Sequence, residues 1–440
     1  MPYREMSHPE RTEHIINVLT TEFGELMAAD PGAFHRKFRK MAASPFAFYR
    51  GSACLFYSDV QHDEPRYLDD KTSRVWMHGD LHAENFGTYM NANGILVFNV
   101  NDFDEAYVGP FMWDLKRFAA SVALIGYAKA LSDSDISQLV TTFAHAYLKE
   151  LRFIATEGDD AIGELTLDTT DGPLREVLQQ ARLGSRLRLL DTETELVDYD
   201  RRFRFKSGVY SVDDGQREKV EAAFERYVDT LPDTAKTLRP TALQIKDVVL
   251  RKGVGIGSAG LPSFNILLEG NSQALENDVL LYMKQAQVPA VSRVIDDTAV
   301  SEYFLHQGHR TSESQRALQS YADSWCGYTE VDGVGQLVAE VSPYTNDLDW
   351  SDLDEPDEIG PVLAYLGRAV ARMHSVADDD SDHGLVDYST EEAIAAAIGN
   401  DDDGFVATLV DFAHVYGNRA RIDHQLFVDL FRNDKLPFGI

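Results

Sequence analysis

One short stretch of the chain, residues 75–87, is crowded with side chains that could do chemistry. It reads VWMHGDLHAENFG and places two histidines, an aspartate, a glutamate and an asparagine within eight positions. Such a set could hold a transition metal, handle a phosphate group, or simply stabilise its own loop. The spacing of its members separates these three hypotheses.

A metal site is the first hypothesis. His78, Asp80 and His82 alternate, so on a strand all three would lie on one face. The arrangement also resembles that of dinuclear metallophosphoesterases, which need further asparagine and histidine ligands from later segments. The later sequence offers no matching cluster, since Gly417 and Asn418 are followed by arginine. Zinc likewise requires three or four ligands, so we favour this hypothesis less.

Phosphoryl transfer fits the spacing better. That reaction needs a carboxylate that accepts a hydroxyl proton and oxygen ligands that hold Mg²⁺ against the phosphates. In a kinase catalytic loop, an asparagine follows the aspartate by five positions, and a second aspartate follows a nearby strand. Asp80 and Asn85 have this spacing, and Asp102 follows the predicted strand at 95–100. Asp104, two positions later, is a candidate second metal ligand or a cap.

Three motifs together resemble a known superfamily. HGDLHAEN, NDFDEA and WDLKRFA, in that order, look like the kinase-like fold in its aminoglycoside-phosphotransferase and choline-kinase form. With SPFAFYRG added, the set resembles a bacterial family of unknown function within that superfamily. The resemblance implies ATP and Mg²⁺ as cofactors, with Asp80 as the catalytic base and Asn85 and Asp102 as metal ligands. It also implies that Asp114 braces the catalytic loop.

The parts that should bind the nucleotide come late in the chain. A kinase presents its glycine-rich loop and its lysine before the catalytic loop, but here only 77 residues precede His78. A strand, glycine-rich turn and strand follow at 251–270, where backbone N–H groups can approach phosphate closely. The resemblance implies that Lys284, on the next strand, pairs the α- and β-phosphates and that Glu313 orients it. The predicted phosphate-contacting positions in the turn are Gly255, Gly257, Ser258 and Gly260.

The order of these parts predicts the fold class. We expect an α+β, two-lobed, protein-kinase-like fold that is circularly permuted, with LGRAVARMHSVADD resembling the helix that leads into HGD. Residues 1–235 would begin the helical catalytic lobe, 236–346 would form the β-rich nucleotide lobe, and 347–440 would supply the remaining helices.

Local patterns predict the individual elements. A hairpin turn is expected at Asn91–Gly94, and the aromatic-rich run after Pro45 is typical of a strand. Helices are predicted at about 10–42, 113–131, 132–151, 174–190, 213–231, 312–321 and 361–374, and strands at 95–100, 245–250, 264–270, 279–286 and 336–342.

Composition limits the partners. The chain has 440 residues and a net charge of −31, which repels nucleic acid and anionic lipid over roughly 8 Å at physiological salt. It shows no long apolar run and no signal-peptide core, and its two cysteines, Cys54 and Cys326, do not indicate a disulfide framework. These features predict a cytoplasmic protein that binds neither nucleic acid nor membrane. An anionic substrate would require local positive charge or a divalent metal; Arg50 and Arg117 are candidates, or form surface ion pairs.

The sequence therefore favours an ATP- and Mg²⁺-dependent phosphotransferase that acts on a hydroxyl of a small molecule, because nothing like the activation segment of a protein kinase is present. A pseudokinase-like nucleotide-binding protein and a nucleotidyl transferase would use the same residues. A metallophosphoesterase is the third alternative; it would act without ATP and would not need Lys284.

Overall fold

The structure is a computed structural model that describes residues 3–158, 163–232, 240–252, 263–379, 381 and 383–439. Its helices are α1 (His8–Ala29), α2 (Pro31–Met41), α3 (Pro45–Gly51), α4 (Ala53–Val60), α5 (Phe111–Ala128), α6 (Asp133–Glu157), α7 (Gly172–Arg182), α8 (Arg186–Glu193), α9 (Asp214–Thr230), α10 (Thr298–Tyr303), α11 (Gln307–Leu318), α12 (Pro356–Ser375), α13 (Thr390–Ile398) and α14 (Asp402–Arg432). Its strands are β1 (Val75–Met77), β2 (Phe86–Met90), β3 (Leu96–Val100), β4 (Tyr107–Gly109), β5 (Thr194–Val197), β6 (Asp200–Phe203), β7 (Val209–Ser211), β8 (Ile245–Arg251), β9 (Ser263–Leu268), β10 (Val279–Gln285), β11 (Gly327–Val331) and β12 (Val334–Glu340). The chain is thus a mixed α+β protein, as predicted.

A six-stranded antiparallel sheet dominates the middle of the chain. Its strand order is β11-β12-β10-β9-β8-β7, and the strands predicted near 245–250, 264–270, 279–286 and 336–342 are confirmed as β8, β9, β10 and β12. Helix α9 covers one face, where Val220, Phe224 and Tyr227 pack against Ile266 and Leu281. The sheet therefore takes β7 and α9 from residues that precede 236.

Among the described residues, three short antiparallel ribbons lie outside that sheet; one is β5-β6, and the other two bear on the site. Strand β1 pairs with β4, and β2 pairs with β3. The predicted hairpin at Asn91–Gly94 is confirmed, because Gly94 N–H donates to the Asn91 carbonyl at 2.9 Å and Asn91 Oδ1 accepts from Ile95 N–H at 2.9 Å. Each of these two ribbons ends in a loop that bears acidic residues, and the two loops meet.

Helices from both ends of the chain enclose the ribbons. Helix α5 is buried along nearly its whole length, with α14 packed on it, and α12 packs along α6. Most of the apolar core lies here and includes residues of α1 to α6 and α12 to α14. No helix among the described residues is long and apolar enough to cross a membrane. Cys54 and Cys326 are both buried and unpaired.

The aromatic-rich run after Pro45 is helical, so the predicted strand there is wrong. Ser44 Oγ accepts the Ala47 N–H at 3.1 Å and caps α3, with Pro45 at its first turn. The aromatic side chains pack on α14, as in the pair of Phe48 and Phe427, whose ring centroids lie 5.1 Å apart. Aromatic residues favour strands mainly because their side chains fit the half-buried surface of a sheet. Here the same side chains are buried between helices instead. The predicted helix at 10–42 is likewise divided at Asp30 into α1 and α2.

A buried ion network ties the first helix to the last. The Arg11 guanidinium donates to both oxygens of Asp59, at 2.6 Å each, and to both oxygens of Asp423, at 3.0 and 2.7 Å. Tyr416 donates a further hydrogen bond to Asp59 at 2.8 Å. The side chains of Arg11, Asp59, Tyr416 and Asp423 are all buried.

We expect Arg11→Met to lower the free energy of unfolding by about 3–5 kcal/mol, because it removes the cation that two buried carboxylates share and leaves Asp423 only the more distant Arg419, at 3.8 Å. Urea-induced unfolding measures the change, with Arg36→Met on the exposed face of α2 as the control. A loss below about 1 kcal/mol, the median for a surface pair, would contradict a stabilising role for the network.

Candidate functional site

The loop after β1 is held by Asp114 at the start of α5. Asp114 Oδ2 accepts the His78 N–H at 2.6 Å, and Oδ1 accepts the Gly79 N–H at 3.0 Å. Asp114 is fully buried, and His374 Nε2 of α12 lies 3.5 Å from its Oδ2. One carboxylate therefore holds two successive backbone N–H groups immediately before Asp80.

Gly79 is required where the two acidic loops touch. Its backbone has φ +77°, and a Cβ at this position would lie 1.9 Å from the Glu105 carbonyl oxygen. Only glycine combines this conformation with such a close approach. The loop of Asp80 therefore packs directly on the loop that follows Asp102.

Asp80 forms its main ion pair with Arg117. Asp80 Oδ1 accepts from Arg117 Nε at 2.7 Å and also from Nη2. The guanidinium is fully buried over the Tyr49 ring, 4.4 Å from its centroid, and Nη2 also donates to the Tyr49 carbonyl at 3.1 Å. Burial raises the pKa of Asp80, and Arg117 opposes that rise. Asp80 Oδ2 lies 3.8 Å from His82 Nε2 and remains the oxygen available to a ligand.

The sequence does not reveal this role of Arg117, since it predicts either a phosphate ligand or a surface ion pair for this residue. A signal was present: Asp114 and Arg117 are three positions apart on one helix, so their side chains share a face. That face carries both the residue that fixes the loop backbone and the residue that orients its carboxylate.

The histidines of the loop do not converge with Asp80 on a metal position. The loop is not a strand, so the alternation does not place them on one face. His78 Nε2 lies 2.7 Å from the Asn101 carbonyl oxygen, and buried His82 has a pKa that burial lowers. Within the described ranges, no group of three or more His, Cys, Asp and Glu residues could hold a metal ion. Mg²⁺ carried by a nucleotide needs only one or two protein oxygens.

Asn85 and Asp102 offer such oxygens. Asn85 Nδ2 donates to the Asp80 carbonyl at 2.9 Å, which leaves Oδ1 as the atom that could ligate Mg²⁺. The backbone of Asp102 adopts the left-handed conformation, with φ +59°. This residue lines a cavity whose wall also includes Lys284. Desolvation by the surrounding protein raises the pKa of Asp102 to about 6, and the charge of Asp104 adds to the rise.

Lys284 reaches the acidic loop from the sheet. It lies on β10 and donates to Asp104 Oδ2, a residue 180 positions away. Burial by itself would raise the pKa of Asp104, but Lys284 outweighs burial and the pKa is lowered. Asp104 is therefore the carboxylate partner of Lys284, whatever part it takes in metal binding.

Glu313 does not contact Lys284. It lies on α11, where its carboxylate contacts Arg316 Nη1 at 3.0 Å and His383 Nδ1 at 3.4 Å. Gln315 of α11 and Gln319, which directly follows that helix, line the same cavity as Lys284. The predicted helix is present, but Glu313 is on another of its faces. The predicted phosphate-contacting positions Gly255, Gly257, Ser258 and Gly260 lie outside the described residues.

Two cavities meet at Asp102 and Asp104, which line both. The larger, of about 220 Å³, lies between the ribbons and the sheet, and Lys284 and Glu340 contribute to its wall. The smaller, of about 80 Å³, is bordered by Asp80 and by helices α1 to α4. Asp102 and Asp104 thus lie between two cavities, an arrangement in which groups bound on either side could meet at these carboxylates.

Comparison with known proteins identifies a family. A family model described as an uncharacterized protein conserved in bacteria (DUF2252) matches residues 29–430. The chain belongs to the DUF2252 family. The match covers the ribbons, the sheet and nearly all of the helices, so Asp80, Asn85, Asp102, Asp104 and Lys284 lie within the family's span, whereas Glu22 in the wall of the smaller cavity precedes it. No curated protein and no solved structure matches this DUF2252 chain.

We expect Arg117→Met to lower the free energy of unfolding by about 3 kcal/mol, because it leaves the half-buried Asp80 carboxylate without its cation. The double variant with Asp80→Asn should lose less than the sum of the two single variants, since the two residues interact directly. Urea-induced unfolding of the four proteins measures the coupling. Strict additivity would show that the ion pair contributes nothing.

We expect Mg²⁺ to bind less tightly below pH 6 than above it, because the proton on Asp102, with its pKa of about 6, competes with the metal. Calorimetric titration of Mg²⁺ in the presence of ADP measures this. In Asp102→Asn the affinity should be low and should change across this range only as much as that of Mg²⁺ for free ADP, whose terminal phosphate takes up a proton at about pH 6. A wild-type affinity that stays constant through pH 6 would exclude Asp102 as a ligand.

Proposed function

We propose that the chain is an ATP- and Mg²⁺-dependent phosphotransferase with a circularly permuted, protein-kinase-like fold, acting on a hydroxyl group of a small molecule. The contact between Lys284 and Asp104 carries this proposal. It joins the sheet to the loop of Asp102 at the border of the larger cavity, so that the Lys284 cation, Asp102 and Asp104 face one space.

The arrangement of elements supports the proposed fold. The hairpins β8-β9 and β9-β10, then α11, then β11 and β12 form a lobe that covers one side of the larger cavity. The ribbon β2-β3 and the loop that bears Asp102 border the other side. Helix α12, near the end of the chain, packs against β1, as a helix leading into the HGD loop would. These neighbours suit a kinase-like fold in which the catalytic half comes first.

The residues have complementary roles in this reaction. Asp80 Oδ2 accepts the proton of the acceptor hydroxyl while Arg117 holds Oδ1. The acceptor oxygen then forms a bond to the γ-phosphorus, and the bond between that phosphorus and the bridging oxygen breaks to leave ADP. Lys284 neutralises charge on the nucleotide phosphates. Magnesium, held by Asn85 Oδ1 and the Asp102 carboxylate, would supply further charge neutralisation.

Asp104 keeps Lys284 in position near the phosphates. Because Asp104 already pairs with Lys284, its negative charge is balanced by a protein cation. Any contact of Asp104 with a metal would weaken that pair and free Lys284 for the phosphates. The pair therefore couples metal binding to phosphate binding.

We expect MgATP to stabilise the wild-type protein against heat. A ligand at a hundred times its dissociation constant stabilises by about 2.7 kcal/mol, which corresponds to a rise of a few degrees in Tm. The rise should require magnesium, be lost in Asp102→Ala, and persist in Asp229→Ala, a control on the exposed face of α9. Asp80→Asn should keep the rise, since Asp80 acts on the acceptor.

Two results would overturn the proposal or redirect it. If the wild-type protein ignores MgATP yet is stabilised by manganese or zinc alone, the kinase interpretation is wrong. If MgATP binds, the products distinguish the remaining hypotheses: ADP indicates phosphoryl transfer, pyrophosphate indicates nucleotidyl transfer, and neither product indicates a nucleotide-binding protein without catalysis.

A further inference from the structure

The smaller cavity is built largely from the first sixty residues of the chain. Helices α1 to α4 contribute Glu22, Lys37, Arg50 and Cys54 to its wall, and Asp80 lies at its border. The sheet that borders the larger cavity contributes none of its strands to the described wall of the smaller one. If the nucleotide occupies the larger cavity, the smaller cavity is where Asp80 can reach an acceptor.

Lys37 is the unusual residue of this wall. It is only 5% exposed, and its Nζ lies 4.0 Å from the centroid of the Phe23 ring. Within the described part of the chain its ammonium group forms no hydrogen bond and no ion pair. A buried ammonium without an anion is costly, and burial lowers the pKa of Lys37 for that reason.

Most of the carboxylates near Lys37 already have cations of their own. Glu22 forms an ion pair with Arg293 at 2.7 Å, and Asp80 pairs with Arg117. Asp102, at the far border of the cavity, is the candidate metal ligand. None of these groups is left as a dedicated partner for Lys37.

Glu105 does not supply the missing charge either. Its Oε2 accepts the Ala290 N–H at 2.6 Å, which holds this carboxyl at the backbone of the neighbouring segment. Among the described contacts it forms no ion pair with Lys37, so the ammonium group keeps no protein anion as its partner.

We propose that the smaller cavity is the acceptor subsite and that Lys37 binds an anionic group, a carboxylate or a phosphate ester, on the acceptor. The acceptor hydroxyl then lies beside Asp80. This inference rests on the proposed function, because Asp80 and the nucleotide give the bound hydroxyl its role. The anion itself would bind whether or not a nucleotide is present.

The test uses four probes that share a three-carbon skeleton with hydroxyl groups and differ in charge: glycerate, glycerol 3-phosphate, glycerol and 3-amino-1,2-propanediol. Each is titrated calorimetrically into the full chain, with and without MgADP. At least one of the two anions should bind about tenfold or more tightly than glycerol, since a hydrogen bond to a charged group contributes that much. The tighter of the two identifies carboxylate or phosphate as the group recognised.

Variants of two lysines on α2 assign the effect. Lys37→Met should reduce the affinity for the anions to that for glycerol, whereas Lys40→Met removes the same charge from an exposed position and should change nothing. Lys37→Met should keep its Tm, because an apolar side chain replaces a buried, unpaired charge. Lys37→Gln, which retains a polar group, serves as the second variant if Met perturbs the fold.

Three outcomes would overturn the inference: no binding of either anion at millimolar concentration, equal or tighter binding of glycerol or the amine, or an anion preference that survives Lys37→Met. The thermal response to MgATP is measured in the same samples. Anion binding without a response to MgATP would leave the anion site in place and remove the phosphotransferase proposal. A response to MgATP without anion binding would leave the phosphotransferase proposal in place and remove the anion site.

Discussion

The rest of the site depends on two hydrogen bonds, which the backbone N–H groups of His78 and Gly79 donate to the Asp114 carboxylate. They determine where the chain turns out of β1, and so where Asp80 and Asn85 lie. The same helix supplies Arg117, which orients the Asp80 carboxylate. Helix α5 is packed against α6, α14 and the ribbons within the largest apolar core of the molecule. This packing holds Asp114 and Arg117, and with them the loop of Asp80, in place.

Charge in the cleft differs from charge on the surface. The chain as a whole carries −31, yet Lys37, Lys284 and Arg117 are gathered within the cleft or beneath it. Two of the three are paired with carboxylates that face the cavities. Screening confines the repulsion from the acidic surface to roughly 8 Å at physiological salt, so the local cations decide which ligands are accepted.

The sequence predicted local features well and long-range contacts poorly. The spacing of Asp80, Asn85 and Asp102 depends on one loop and one hairpin, and the turn at Asn91–Gly94 has a distinct chemical signal. The helical α3 and α4 were mistaken for a strand because their aromatic side chains are satisfied by α14, far away in the chain. The contact between Lys284 and Asp104 is not visible in the sequence for a similar reason: a periodic helix can be predicted without knowing which of its faces meets the sheet.

The order of the helices and the sheet along the sequence has a consequence for synthesis of the chain. Helices α12 to α14 emerge from the ribosome after the sheet, yet they cover α5 and α6, which emerge before it. Until then the apolar faces of α5 and α6 lack their final partners and are exposed to other chains. The sheet, by contrast, draws its strands from one continuous part of the sequence and can assemble first. Until residues 356–432 have been translated, a nascent chain is therefore most open to aggregation and most in need of a chaperone.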